Sequence, residues 1–258
     1  MTASLSSLRT VGPGYWRASR APRYSLLFAL PLLLAYEGLA AALPVRETGG
    51  VRNGADVLLK SLFVLVAGSR GPLIFGVLLL ALGGWIVWRD IKAHGPVHRR
   101  WIFGAMLGES VLLALVFGVV VGTITARLLG VFGALTMARV AQVAQVAQPD
   151  GLTRLMVSLG AGLYEELLFR VILVSALDWG GRRLLGWSPW AAGAGATLLG
   201  AAIFSAFHYV GPYGDAFQLQ SFVFRMIGGV FFSGLYLLRG FGVDAWTHAL
   251  YDVFILLR

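Results

Sequence analysis

Glu165, Glu166, Arg170, His208, His248 and Asp252 combine the side-chain types that move protons with the spacings that hold them still. Glu166 and Arg170 stand at i and i+4, the favourable order for an ion pair along a helix. Glu165 is turned about 100° from Glu166 by the 3.6-residue period, so the two carboxylates need not share one environment. His248 and Asp252 repeat the i, i+4 spacing, and so do Phe204 and His208. Hydrolysis of a peptide bond needs an activated water, a partner for the tetrahedral oxyanion and a proton for the leaving amine. Glu165 suits the general base, and His208 can share its water. His248 can donate to the oxyanion or bind a metal, with Asp252 orienting it. Glu166 with Arg170 can hold the helix in register while neutralising a costly charge.

Each feature has an ordinary reading as well. A buried Glu–Arg pair is a common structural device, and a lone histidine in an apolar helix usually makes an interhelical hydrogen bond. Three separate segments that each bring an acid, an imidazole or both favour chemistry. Other hydrolytic frames are missing from the sequence: there is no HExxH, no cysteine and no GxSxG elbow. Tyr213-Gly214-Asp215 follows Pro212, where an aspartyl GxGD motif needs glycine. Glu165, His208, His248 and Asp252 have acceptable zinc-ligand types. They are scattered singly over three segments, so the expectation is no cofactor, with a divalent metal such as zinc as the lesser alternative.

The elements that must position these groups are apolar. The chain has 258 residues, 58% hydrophobic and only 13% charged, with mean hydropathy +0.78. A soluble domain carries about 25% charged residues, so a soluble enzyme is excluded, as are disordered and disulfide-scaffold classes. An ionisable group at the bilayer centre costs about 2.5–3.5 kcal/mol on insertion scales, which makes the acid and histidine cluster conspicuous. The expected fold is all-α, a polytopic transmembrane helix bundle of about seven to eight spans. Residues 1–23 form a cytoplasmic tail, and 24–258 form a single multi-pass membrane domain. Tyr24 to Val45 is read as a retained anchor rather than a cleaved signal, because its apolar run exceeds a signal h-region.

Asp56 to Ser69 is too short to cross alone. Gly71 to Trp88, Trp101 to Leu129, Leu152 to Leu177, Ser188 to Tyr209, Phe217 to Leu238 and Phe241 to Leu257 are each read as crossings, and the AQVAQVAQ stretch before Asp150 as a surface helix or tilted extra span. Glu37 and Glu109 have no partner evident from spacing and are assigned to helix packing or a cavity wall. The net charge of +9 sits between apolar runs, where arginines orient helices and meet lipid headgroups, so nucleic acid is not an expected partner. The charge count puts His208 near the outer end of its helix, with Glu165 and His248 deeper. That requires either a helix continuing past Gly211 or a water-filled funnel opening toward that side.

At these residues the sequence resembles the CPBP intramembrane proteases, the family of type II CAAX prenyl endopeptidases and bacteriocin-processing enzymes. The family's EExxxR, FxxxH and final HxxxN or HxxxD helices read here as Glu165-Glu166-Leu167-Leu168-Phe169-Arg170, Phe204-Ser205-Ala206-Phe207-His208 and His248-Ala249-Leu250-Tyr251-Asp252. The likeness covers a protease-like core at about 152–257. It implies an intramembrane endopeptidase in which Glu165 and His208 activate water. His248 and Asp252 then hold that water or stabilise the oxyanion, with Glu166, Arg170 and Phe204 supporting. Many relatives carry asparagine where this chain has Asp252; an ionised aspartate cannot donate to an oxyanion, so it must be protonated, orient His248 or bind metal.

The expected partners are a protein or peptide substrate at the membrane and the bilayer itself, in a bacterial inner membrane, with an unprenylated bacterial peptide or protein preferred. Two other classes compete: a non-catalytic adaptor or immunity protein of the same fold, and a proton-coupled transporter. The lack of an internal repeat counts against the transporter.

Overall fold

Low charge and long apolar runs leave the backbone one economical way to satisfy its own hydrogen bonds, the helix. The computed structural model describes residues 13–43, 51–130, 151–211 and 214–256, and among these there is no β-strand. The helices are α1 (Pro13–Arg20), α2 (Pro22–Ala42), α3 (Gly54–Ala67), α4 (Gly71–His94), α5 (Trp101–Leu128), α6 (151–183), α7 (Pro189–Phe207), α8 (Leu219–Arg239) and α9 (Phe241–Leu256). Local chemistry sets several ends. Asn53 caps α3 by accepting from the Ala55 and Asp56 amides, and Ser188 caps α7 by accepting from Ala191. Gly240, at φ 79°, closes α8 so that α9 can begin one residue later.

Outward faces are greasy where a soluble protein would be polar: Val66 is 89% exposed, Trp190 83% and Leu73 70%. The chain is a multi-pass membrane protein, and among the described residues five stretches are long and apolar enough to cross a bilayer. That falls short of the seven to eight expected, for physical reasons. The 41-residue stretch Gly54–His94 is not one straight span. Phe63 of α3 packs edge-on against Phe75 of α4 with ring centroids 5.3 Å apart, so the chain doubles back between them. At 14 residues α3 is about 21 Å long and cannot cross about 30 Å of hydrocarbon, as the sequence led us to expect. Helix α6 is interrupted by charges from Arg154 through Glu165, Glu166 and Arg170 to Asp178, and α9 has only 16 residues. The AQVAQVAQ segment and Pro212-Tyr213 lie outside the described residues.

Helix α9 is central, packed on α2, α5, α6 and α8. Trp246 donates from Nε1 to the Phe28 carbonyl at 2.6 Å, and the Gly242 amide donates to Ser25 Oγ at 2.8 Å, tying α9 to α2. Gly162 lets α6 cross α9 closely: a Cβ there would lie 2.3 Å from the Ala245 carbonyl oxygen. Small residues at the crossing are the usual means of close helix approach in a bilayer, where burial of apolar surface supplies no drive.

Both acids without an evident partner find one. Glu37 accepts from Lys60 Nζ at 2.8 Å and from the Tyr164 hydroxyl. Glu109 accepts two bonds from Arg239, at 2.5 and 2.7 Å, and a third from Tyr15 at 2.5 Å. Burial first, and then the Glu109 carboxylate, hold the Tyr15 phenol above its ordinary pKa, so Tyr15 is the donor. Both acids are thus ion-paired across the helix packing.

Candidate active site

Helix α6 brings the two glutamates in through an unusual stretch. It is α-helical over Gly151–Gly160, has π-type wide turns at Ala161–Glu165 and Leu167–Val174, and is α-helical again over Ser175–Arg183. Such turns are rare and recur at functional sites. Glu165 and Glu166 leave α6 toward different neighbours, as the rotation between consecutive residues requires. Both are buried, at 7% and 0% exposure.

Glu165 Oε2 lies 4.0 Å from His208 Nε2, too far for a direct hydrogen bond and a separation over which two groups can hold a water. Glu165 Oε1 accepts from Asn53 Nδ2 at 2.8 Å. His208 Nδ1 lies 2.9 Å from the Phe204 carbonyl oxygen. A carbonyl only accepts, so Nδ1 carries a proton, and in the neutral ring Nε2 offers its lone pair toward Glu165. Phe204 therefore supports His208 twice, through its carbonyl and through an edge-on ring contact with centroids 5.0 Å apart.

Glu166 Oε1 takes His248 Nδ1 at 2.6 Å, while its Oε2 faces Arg170 Nε at 3.0 Å. Among the described residues the Arg170 guanidinium makes no further hydrogen bond, and it is covered by aromatic faces, 4.4 Å from the Phe204 centroid and 5.5 Å from that of Phe232. Phe232 also stacks on the His248 ring at 4.5 Å. Asp252 Oδ2 stands 3.9 Å from His248 Nε2. The spacing pointed to Asp252 as the group orienting His248. Here Glu166 makes that hydrogen bond, and Asp252 sits at the opposite nitrogen, facing the more open side.

All the residues singled out in the sequence, Glu165, Glu166, Arg170, Phe204, His208, His248 and Asp252, thus converge from α6, the end of α7 and α9. Helix α7 stops at Phe207 and the chain turns, with Gly211 at φ 93°, so it does not extend past Gly211. Among the described residues no group of three or more His, Cys, Asp or Glu side chains is arranged to hold a metal ion.

Sequence reasoning missed Asn53, Phe232 and Asp244. Asp244 is fully buried beside Glu166, four residues before His248 on the same face of α9, a spacing that was visible. Asn53 lies far from the motifs in sequence. Its only local signal is an asparagine directly before a Gly-Ala-Asp helix start.

A membrane-embedded helical bundle with acids and imidazoles gathered from three helices defines the class, a multi-pass membrane protein with a buried polar centre. Residues 149–254 match the model of the family described as type II CAAX prenyl endopeptidase Rce1-like, and they carry such a domain. The match supports intramembrane endopeptidase activity at the level of the family, and with it a peptide substrate. No curated protein and no solved structure matches the chain.

Proposed function

We propose that the protein is an endopeptidase that hydrolyses a peptide bond of a membrane-associated protein or peptide, using water activated by Glu165 and His208. One observation carries the reading: Glu165 and His208 face each other at 4.0 Å, each with its other polar atom already engaged. A water between them loses a proton to Glu165 as its oxygen attacks the substrate carbonyl. His248 then donates from Nε2 to the oxyanion. Because Nδ1 donates to Glu166, His248 carries both protons in that role, and the Glu166 carboxylate balances the charge. The proton taken by Glu165 passes to the departing amine, so the products are an acid and an amine. No metal takes part in this scheme. Asp252, partly open at 31% side-chain exposure, positions the water or the His248 ring.

The deciding experiment compares protein termini in host membranes expressing wild-type or Glu165→Gln protein at matched levels. New termini that vanish in the variant are expected, and they name the substrate as well. Identical termini with an unchanged host phenotype would instead favour an adaptor that keeps the fold.

A further inference from the structure

Asn53 is 3% exposed and spends both ends of its amide. Its Oδ1 accepts from two α3 backbone amides, Ala55 at 3.0 Å and Asp56 at 3.3 Å. That engagement fixes which end of the amide is which, since an oxygen must face the amides. The NH₂ is then obliged to point away from α3, and it meets Glu165 Oε1 at 2.8 Å. The approach depends on Gly160, one turn before the glutamates: a Cβ there would lie 2.8 Å from Asn53 Cβ and 2.5 Å from the Tyr36 ring. The consequence for Glu165 is geometric. With Oε1 held by Asn53, the carboxylate cannot rotate freely, and Oε2 is the oxygen presented to His208.

We infer that Asn53 is a positioning residue for the reaction, fixing the Glu165 carboxylate so that one oxygen faces His208 and the water between them. This rests on the reading of Glu165 as the water-activating base. It also extends the working site beyond 149–254, into a helix that does not cross the membrane and whose N-terminus is anchored at the reacting groups. Helix α3 then serves to deliver one amide to the base.

Two substitutions separate positioning from capping. Asn53→Thr and Asn53→Ser both keep a good N-cap, and neither can donate to Glu165, because the short hydroxyl that caps α3 does not reach past the cap. Solubilised full-length protein is assayed on an internally quenched peptide built around the termini that the wild type generates, with thermal unfolding measured on the same samples. The expected result is an unchanged unfolding midpoint and KM, with kcat lowered about 10- to 100-fold, the range a hydrogen bond to a charged group commands. Wild-type kcat in both variants overturns the inference, and so does a loss of kcat that only follows loss of folded protein. Glu165→Gln, run alongside, tells the two levels apart. If it is inactive while both Asn53 variants are fully active, only the inference fails. If it is active, the proposed function itself fails.

Discussion

Glu109–Arg239 and Glu166–Arg170 are the same chemical pair in two regions of one bundle. At Glu109 the carboxylate receives a two-pronged guanidinium and the Tyr15 hydroxyl, while Arg239 also donates to Ser19 at 2.9 Å and lies 3.9 Å from the Trp16 ring centroid. Every strong valence is used, and the partners come from α1, α5 and α8, so the pair acts as a clasp. At Glu166 the pair lies within one helix and is closed by ring faces rather than donors, which leaves one carboxylate oxygen for His248. The charges are alike in the two places, with Glu166 fully buried and Glu109 partly so. What differs is the unspent hydrogen-bonding capacity, and it is directed at an imidazole in only one of them.

The contrast can be broken most directly by neutralising each glutamate. Glu166→Gln is expected to lower cleavage about 10²- to 10⁴-fold per folded molecule, the range for a disabled acid–base partner, whereas Glu109→Gln leaves the rate per folded molecule unchanged. Equal losses in both, measured as termini formed in membranes, would erase the distinction. Removing the cations tests the structural side. Arg170→Met strands a buried carboxylate and should cost about 3–5 kcal/mol in unfolding free energy in detergent. Arg239→Lys gives up the forked geometry and should cost less, about 1.5–3 kcal/mol. Asp215→Asn breaks the half-exposed Asp215–Arg225 pair just past His208 and should change stability by no more than about 1 kcal/mol. Chelator treatment completes the series with no expected change in rate. A loss restored by zinc would replace the metal-free scheme.

The membrane character, the helical class and the three motif segments were legible because each is local: composition, apolar run length and i, i+4 spacing are all written within one helix. The meeting of Glu165 with His208, and of Glu166 with His248, was legible only as a convergence of types, since spacing along one helix says nothing about contacts between helices. Thus Asp252 looked like the natural partner of His248 from four residues away, while the hydrogen bond goes to Glu166, 82 positions earlier. Glu37 and Glu109 looked orphaned for the same reason. Asn53 was out of reach because its local duty, capping α3, fully accounts for it in the sequence.

The wide turns of α6 imply that the site is more sensitive to chain length than to composition. Between residues 161 and 174 the helix carries surplus residues per turn relative to an α-helix. Inserting one residue there, where the turns are already wide and have no slack left to absorb it, swings everything on one side of the insertion by about 100° relative to the other. Glu165 and Glu166 would change phase against Gly160 and Gly162, which hold Asn53 and α9 close. A single-residue insertion between Gly162 and Glu165 is therefore expected to act as a rotation of the whole carboxylate pair, more damaging than replacing any one of its apolar neighbours.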